Sequence, residues 1–550
     1  MKKNFLKIIS LLLVIATLSL MVSCDLSSML EDIAPEDLGN GQENGATGEI
    51  KFTLEATGPS KDIEENTEKE TNQYGEEGIT PSIPVNDLDF DGEEVVILYR
   101  DFIQNSREWY KKSPEDELDH AIARRNQKVE EDLNLKLVFE PIPSNGNDFS
   151  EYTSRFHDMV LRDVDMDLHY YDISANFGYT TASPVLRDYT TNLLDEDLFP
   201  YFDFSLPCWN QSIVNNTTFN DQLFYVAGDI NLSMFDAAGV VWHNKTLYDK
   251  KKENTDLENM QDVALGGQWT YEELFRWTSV FYENSNGEEG RQANDTYALL
   301  AAQSSGAPLP IDAFPYAWDV SFVTTKNDGT HEFNIVGNQK ANSALEKCRI
   351  LLRGQGTYAT ASAHVFAGGT AMFYMDKLYS GYEANMAIRE MEDKYGLLPM
   401  PKYDVDQEDY GTTAQDYFTL MFVLDHSESS IPTKGEAISA FLQYATEESY
   451  TGVRGYYFNR VIKPKFFGTD DSEGTVTKSI ALFDIIISNI EFDFMTIYSM
   501  PLNNVNHLWR SACYGTGSLE GAFLTNESKF NEALISCDVW LGLRSEDELG

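Results

Sequence analysis

Two patterns in this 550-residue chain have the spacing of metal ligands, and neither completes a site. Asp87, Asp89 and Asp91 alternate ahead of Gly92 like the opening of a calcium loop. Such a loop needs a bidentate Glu at its twelfth position and a helix after it, but Leu98 stands there and the run from Glu94 to Tyr99 reads as a strand. His331 and Glu332 begin like a zinc-protease helix, yet the residue four after the histidine is Ile335. No G-x-S-x-G elbow and no phosphate-cradling Gly-Lys loop occurs, and the 8 His residues are scattered. No metal, cofactor or covalent catalysis is therefore expected, and the chemistry left to these residue types is binding.

The first residues carry an address. Lys2, Lys3 and Lys7 flank a largely apolar run from Ile8 to Leu20, and Met21, Val22 and Ser23 lead to Cys24. A charged start, a short apolar segment and small residues before a cut describe a secretory leader. The cysteine after the cut resembles a bacterial lipobox, with Met21 where Leu is more common. Residues 1–23 are thus expected to be a signal peptide and Cys24 an acylated N-terminus. No later segment reaches the 18 or so apolar residues of a membrane span, so lipid alone would hold the chain at the outer face of the cell membrane or in the periplasm. In that setting disulfides can form, and Cys208, Cys348, Cys513 and Cys537 show no C-x-x-C spacing. A Cys513–Cys537 bridge and four buried thiols are both open readings.

Composition separates a tether from a body. Residues 25–90 hold 17 acidic residues against 3 Lys, with repeated Gly, Asn, Thr and Pro, the make-up of a flexible leash over 24–90. The run 50–54 is the one strand-like stretch within it. The whole chain has 42% hydrophobic residues, enough for a large core, and a formal charge of -48. That charge repels phosphate backbones, so nucleic acid is excluded as a partner.

After the turn residues Asp89 to Gly92, strands alternate with helices, the signature of an α/β body. Glu94 to Tyr99 reads as a buried parallel strand. Residues 116–133 form a helix whose Leu118, Ala121, Ile122, Val129 and Leu133 share one face, with Arg124, Arg125, Glu130 and Glu131 opposite. Residues 134–139 are a second strand, 151–162 a helix, and 166–173 a third strand.

Several segments, in order, resemble the extracellular solute-binding proteins of sugar-type ABC importers, related to the maltose-binding family. They are Ala123 to Leu135, Asp221 to Val226, His243 to Lys245, Gly267 to Leu274 with Thr270 and Glu273 set as a capping box, Phe366 to Met372, and Tyr395 to Pro401. The resemblance covers roughly 91–550. It implies a two-lobed, type II periplasmic-binding-protein-like fold, each lobe a mixed sheet flanked by helices, with crossing segments as hinge. Carried over, 91–205 plus 412–449 would form the first lobe and 206–411 plus 450–550 the second. It further implies a monomeric, non-enzymatic receptor that passes a small ligand, a mono- or oligosaccharide, to ABC transporter permease subunits.

Saccharides are held by aromatic faces and by planar polar groups that pair with hydroxyls. Candidate clusters are Tyr171, Asp172 and Ser174 at a strand end; Trp209 with Asn210 and Gln211; Asp229, Asn231 and Asp236; and Tyr316, Trp318 and Asp319. The resemblance adds Tyr374 and Tyr379 behind the Ala371-Met372 pair, where the maltose binder's Trp is missing, Asp416 and Tyr417 near a crossing, and Trp509 with Arg510 at a late helix. With 8 Trp, 29 Tyr and 32 Phe, most rings must be core, Trp242, Trp269 and Trp277 above all. A surface lipoprotein enzyme on polysaccharide and a non-transport carbohydrate adhesin are the competing classes.

Overall fold

The computed structural model describes residues 80–549 apart from 111–113, 146–147, 166–170, 184–185, 187, 253–257, 302–310, 360–361, 382–386, 426–433 and 464–472. The leader, Cys24, the run 50–54 and most of the acidic segment lie outside the described residues. In chain order the strands of the two main sheets are β1 (Glu93–Asp101), β2 (Leu135–Pro143), β3 (Ile173–Phe177), β4 (Gly239–Asn244), β5 (Thr296–Ala301), β6 (Thr357–Ala359), β7 (Ala371–Lys377), β8 (Tyr395–Leu398) and β9 (Thr419–Val423).

The first sheet runs β9-β3-β1-β2. Val95 to Leu98 are all buried, as a parallel strand covered on both faces requires. β1 pairs in parallel with β2 and β3, and β9 closes the edge antiparallel to β3. The helix Glu117–Leu133 connects β1 to β2. Asp116 caps its start by accepting from the Asp119 amide, and Asn134 ends it in a left-handed conformation that its short polar side chain tolerates. Its expected apolar face is buried, but Arg125 is buried with it. The guanidinium donates to Ser449 Oγ at 3.1 Å and the Glu108 carbonyl at 2.9 Å, because this helix is covered on a second side.

The third strand departs from expectation. It begins at Ile173, where the sequence pattern ended it, and 166–170 lie outside the described residues. The run Ile173 to Phe177 is buried throughout, Ser174 and Asn176 included, and supplies the register with β1. The aspartates before Gly92 form a turn: Asp89 accepts from the Asp91 amide at 3.0 Å and from Asn134 at 2.6 Å. No cluster of metal-ligating side chains occurs among the described residues.

The second sheet orders as β6-β5-β7-β4-β8, with the short strand Tyr282–Glu283 also on β5. β5 pairs in parallel with β6 and β7; β4 is antiparallel to both β7 and β8. The helix Tyr271–Val280 starts at Thr270, whose hydroxyl accepts from the Glu273 amide at 3.3 Å. The reciprocal arm of the box is absent, since Glu273 pairs with Arg276 at 2.8 Å. Trp242, Trp269 and Trp277 are fully buried in this core.

Two segments cross between the sheets side by side. Residues 231–238 lead into β4 and residues 412–416 lead into β9; the Gly239 amide donates to Thr413 O at 3.0 Å and the Gln415 amide to Ala237 O at 2.9 Å. A third crossing is helical, through Ser449–Arg454 and Tyr457–Ile462. Residues just after 205 pack with the first sheet: Cys208, Trp209, Leu223, Val226 and Ile230 share a core with Val95, Ile173 and Met421, and Val226 bridges Met421. The first crossing therefore comes after Ile230. All four cysteines of the body are unpaired and buried, so the Cys513–Cys537 bridge is absent.

Candidate ligand-binding cleft

Beside the paired crossing segments lies a cleft of about 530 Å³ empty volume, counting the part open to solvent. Thr413 to Asp416 form one wall; Asp312, Pro315 and Tyr316 form a second; Ser499, Asn506, Trp509 and Arg510 complete it. Each wall is held from behind. Trp509 is 2% exposed, its indole N–H donates to Ile311 O at 2.9 Å, and its ring lies 5.8 Å from that of Phe322, which also lines the cleft. Tyr316 donates to Asp493 Oδ1 at 2.9 Å and meets the Thr496 hydroxyl.

The polar groups divide into paired and unpaired. Arg510 Nε reaches both Asp312 carboxylate oxygens at 2.7 Å and Nη2 reaches Oδ2 at 2.6 Å, a planar pair. Burial pushes the Asp312 carboxyl up to about 6 although Arg510 opposes the shift. Nearby protein atoms and Arg510 push the His507 imidazole down to about 4. The Asp416 carboxylate has no side-chain hydrogen bond or ion pair among the described residues; burial raises its pKa, and Arg510, Arg100 and its own backbone amide oppose the rise. Thr413 Oγ1, Ser499 Oγ and Asn506 Oδ1 are buried with no hydrogen-bond partner among the described residues. Leaving such a group unpaired costs about 1–3 kcal/mol, so three at one cleft form an array ready for a polar guest.

The ends of the first sheet come next to Asp416, whose carbonyl accepts from the Tyr179 amide at 3.4 Å. Arg100, near the end of β1, lies over the rings of Phe102, Tyr152 and Phe177 at 4.7, 5.1 and 4.6 Å and donates to Ser144 Oγ. Tyr179, just past β3, donates its hydroxyl to Asn504 Oδ1 at 2.7 Å. Asn503 and Asn504 both have left-handed backbones, φ 55° and 56°, which turn the chain between Phe494–Ile497 and His507–Tyr514. Ligand sites of open α/β sheets lie at such C-terminal strand ends.

Of the residues singled out from sequence, the structure brings Tyr316, Asp416, Trp509 and Arg510 to this cleft. Tyr417, next to Asp416, has a buried hydroxyl with no partner among the described residues and Lys377 Nζ 5.3 Å from its ring centre. Tyr374 donates to Asp376 at 2.9 Å, and Tyr379 is buried in the same layer. Asp236 accepts from the Tyr457 hydroxyl, and Asp229 pairs with Arg454 at 2.8 Å.

The others are elsewhere. Asp172 accepts from the Val96 amide at 2.8 Å and Lys434 at 3.2 Å, Tyr171 is core, and Ser174 accepts from Asn176. Trp209 is buried and donates to Gln443 at 3.1 Å; Asn210 caps the helix Gln211–Thr217, and Gln211 donates to the Phe204 carbonyl. Asn231 Oδ1 accepts from the Gly228 amide at 3.0 Å. Trp318 is buried and donates to Pro401 O at 3.0 Å, while Asp319 is exposed and pairs with Lys340. Sequence reading missed Arg100, Tyr179, Asp312, Thr413, Ser499, Asn504 and Asn506. Only Asp312, in a stretch rich in aromatic residues, carried a local signal; the rest are single polar residues whose role depends on who faces them.

No family model matches the chain, and no curated protein matches it by sequence. Solved structures do match. The cyclic alpha-maltosyl-1,6-maltose binding protein of Arthrobacter globiformis superposes with TM-score 0.52 at 14% identity, over 80% of this chain and 99% of that one. The sugar-binding protein MalE of Xanthomonas citri superposes with TM-score 0.50 at 10% identity, over 80% and 98%. Two mixed α/β layers, three crossings and these matches together give the chain the two-lobed, type II periplasmic-binding-protein-like fold.

Proposed function

We propose that this protein is a lipid-anchored, extracytoplasmic receptor that captures a saccharide between two lobes and hands it intact to the permease of an ABC importer. The observation that carries this reading is the cleft, where Tyr316, Phe322 and Trp509 stand beside Asp416 and the unpaired polar atoms of Thr413, Ser499 and Asn506. Aromatic faces beside unpaired hydrogen-bonding groups suit a ring with polar edges and an apolar face. The named sugar binders that share the fold support the ligand class.

The first lobe is built on β1, β2, β3 and β9 and the second on β4 to β8, with the 231–238, 412–416 and 449–462 segments as hinge. Binding then works by closure: ligand that touches both walls stabilises the closed state by its differential affinity, and the permease reads that state. Residues 1–23 direct export, acylated Cys24 tethers the monomer, and the acidic segment to about residue 79 serves as leash. No step of chemistry on the ligand is part of this reading.

The test is a thermal-shift and calorimetric screen of the chain against mono- and oligosaccharides, with product analysis of each sample. A true ligand at a hundred times its dissociation constant adds about 2.7 kcal/mol of stability and is recovered intact. Cleavage of the ligand overturns the reading in favour of a polysaccharide-acting enzyme, and absence of binding across the panel overturns the saccharide assignment.

A further inference from the structure

We propose that Cys348 and Cys513, free thiols in the structure, can be oxidised to a disulfide that ties the helix Gln339–Arg353 to the helix His507–Tyr514. The two helices pack together, and the residues beside the cysteines bind each other: Arg349 Nε donates to Ala512 O at 2.9 Å and Nη2 to the same oxygen at 2.6 Å. One position along on each helix, the Cys513 and Cys348 thiols are themselves in hydrogen-bonding contact. Both cysteines are buried, while Cys208 lies in the other core and Cys537 sits on the separate helix Glu527–Trp540.

The bond would matter because of what its second helix carries. Cys513 is one turn beyond Trp509 and Arg510, the residues that form the inner wall of the cleft. A covalent tie would hold that wall against the helix behind it through opening and closing. It would also close a long loop of chain, which restricts the unfolded state.

The chemistry is thiol–disulfide exchange with an oxidant that is itself a disulfide, protein or small molecule. One cysteine thiolate attacks the oxidant's S–S bond and displaces one of its sulfurs as a thiol. The second cysteine thiolate then attacks the mixed disulfide, forms the Cys348–Cys513 bond and releases the other sulfur. The protein's two thiols are oxidised, the oxidant becomes two thiols, and the protons pass from the former to the latter. Burial and the neighbouring Cys348 thiol push the Cys513 thiol up, so the folded site holds little of the reactive thiolate. The bond therefore forms while the chain is folding, outside a reducing cytosol, and independently of any ligand.

The test is differential alkylation of the full chain, secreted with its own leader from a bacterial host. The purified protein is unfolded in guanidinium with iodoacetamide and no reductant, then reduced, labelled with N-ethylmaleimide and read peptide by peptide by mass spectrometry. Cys348 and Cys513 should escape the first label and take the second, while Cys208 and Cys537 take the first. In Cys348→Ser, Cys513 should move to the first label, and reductant should lower the melting temperature of the wild type but not of this variant. If both cysteines of the secreted wild type take the first label, or if Cys513 stays protected in Cys348→Ser, the proposal is overturned.

Discussion

At the scale of single residues, the cleft turns on the difference between two carboxylates. Asp312 is matched by the Arg510 fork, so its charge is already spent within the protein. Asp416 sits nearby without such a partner, its carboxyl raised by burial. A carboxylate drawn partly out of water without a cation or side-chain donor in contact costs stability and repays it when a donor arrives. Asp416→Asn should therefore weaken the ligand about tenfold or more, the worth of one charge-assisted hydrogen bond, while the melting temperature of the free protein holds or rises. Calorimetry and a ligand-free melt measure the two separately. A fall in melting temperature with unchanged affinity would assign Asp416 to the hinge instead of the ligand.

Among elements, the question is what holds the two layers in the arrangement seen. Tyr179 follows β3 and its partner Asn504 lies in the turn before the Trp509 helix, so the 2.7 Å bond between them ties the end of the first sheet to that turn. Tyr179→Phe removes the donor with little change of shape, and Asn504→Gly removes the acceptor while keeping the left-handed backbone possible. Each should open the ligand-free protein, seen as a larger radius of gyration in small-angle scattering, and weaken binding by about fivefold, one net hydrogen bond.

Glu108 works at the hinge in the same way. Its carboxyl accepts from the Ser233 amide at the first crossing and from Thr419 Oγ1, at the head of β9, at 2.6 Å. Burial pushes it from an ordinary 4.5 to about 8. The folded protein thus binds a proton that the unfolded chain has released, so stability falls as pH rises from about 4.5 to about 8 and is level above that. Glu108→Gln should flatten this slope in a pH series of urea melts and stabilise the protein at pH 8. A slope unchanged by the substitution would place the titration elsewhere.

For the whole molecule, the N-terminal edge of the described body is tied down earlier than composition suggests. Ser82 N and Oγ both donate to the Glu447 carboxylate, the latter at 2.6 Å, and Ile83 is buried. A chain begun at Asn72 should match the full chain in melting temperature and ligand affinity. One begun at Asp91 loses those contacts, leaves Glu447 buried with Gln443 as its remaining partner, and should be less stable by about 1–3 kcal/mol. A urea titration of the two chains checks the difference.

The sequence by itself determined whatever depends on near neighbours along the chain. The run at β1, the Asp116 and Thr270 caps, the buried stripe of Glu117–Leu133 and the α/β alternation were legible because periodicity and capping are local. Arg125 was misplaced because a second neighbour covers its helix, and the extent of β3 to Phe177 was missed because Ser174 and Asn176 look too polar for a strand that is buried throughout. The cleft was legible only in part. Trp509, Arg510, Tyr316 and Asp416 could be named as types suited to a ligand, but so could Trp209, Trp318 and Asp172, and only packing separated the first set from those satisfied by Gln443, Pro401 and Val96. Arg100, Thr413, Ser499 and Asn506 have no local mark at all. Whether a polar atom is paired or left waiting depends on residues hundreds of positions away, and that is decided when the layers close on one another.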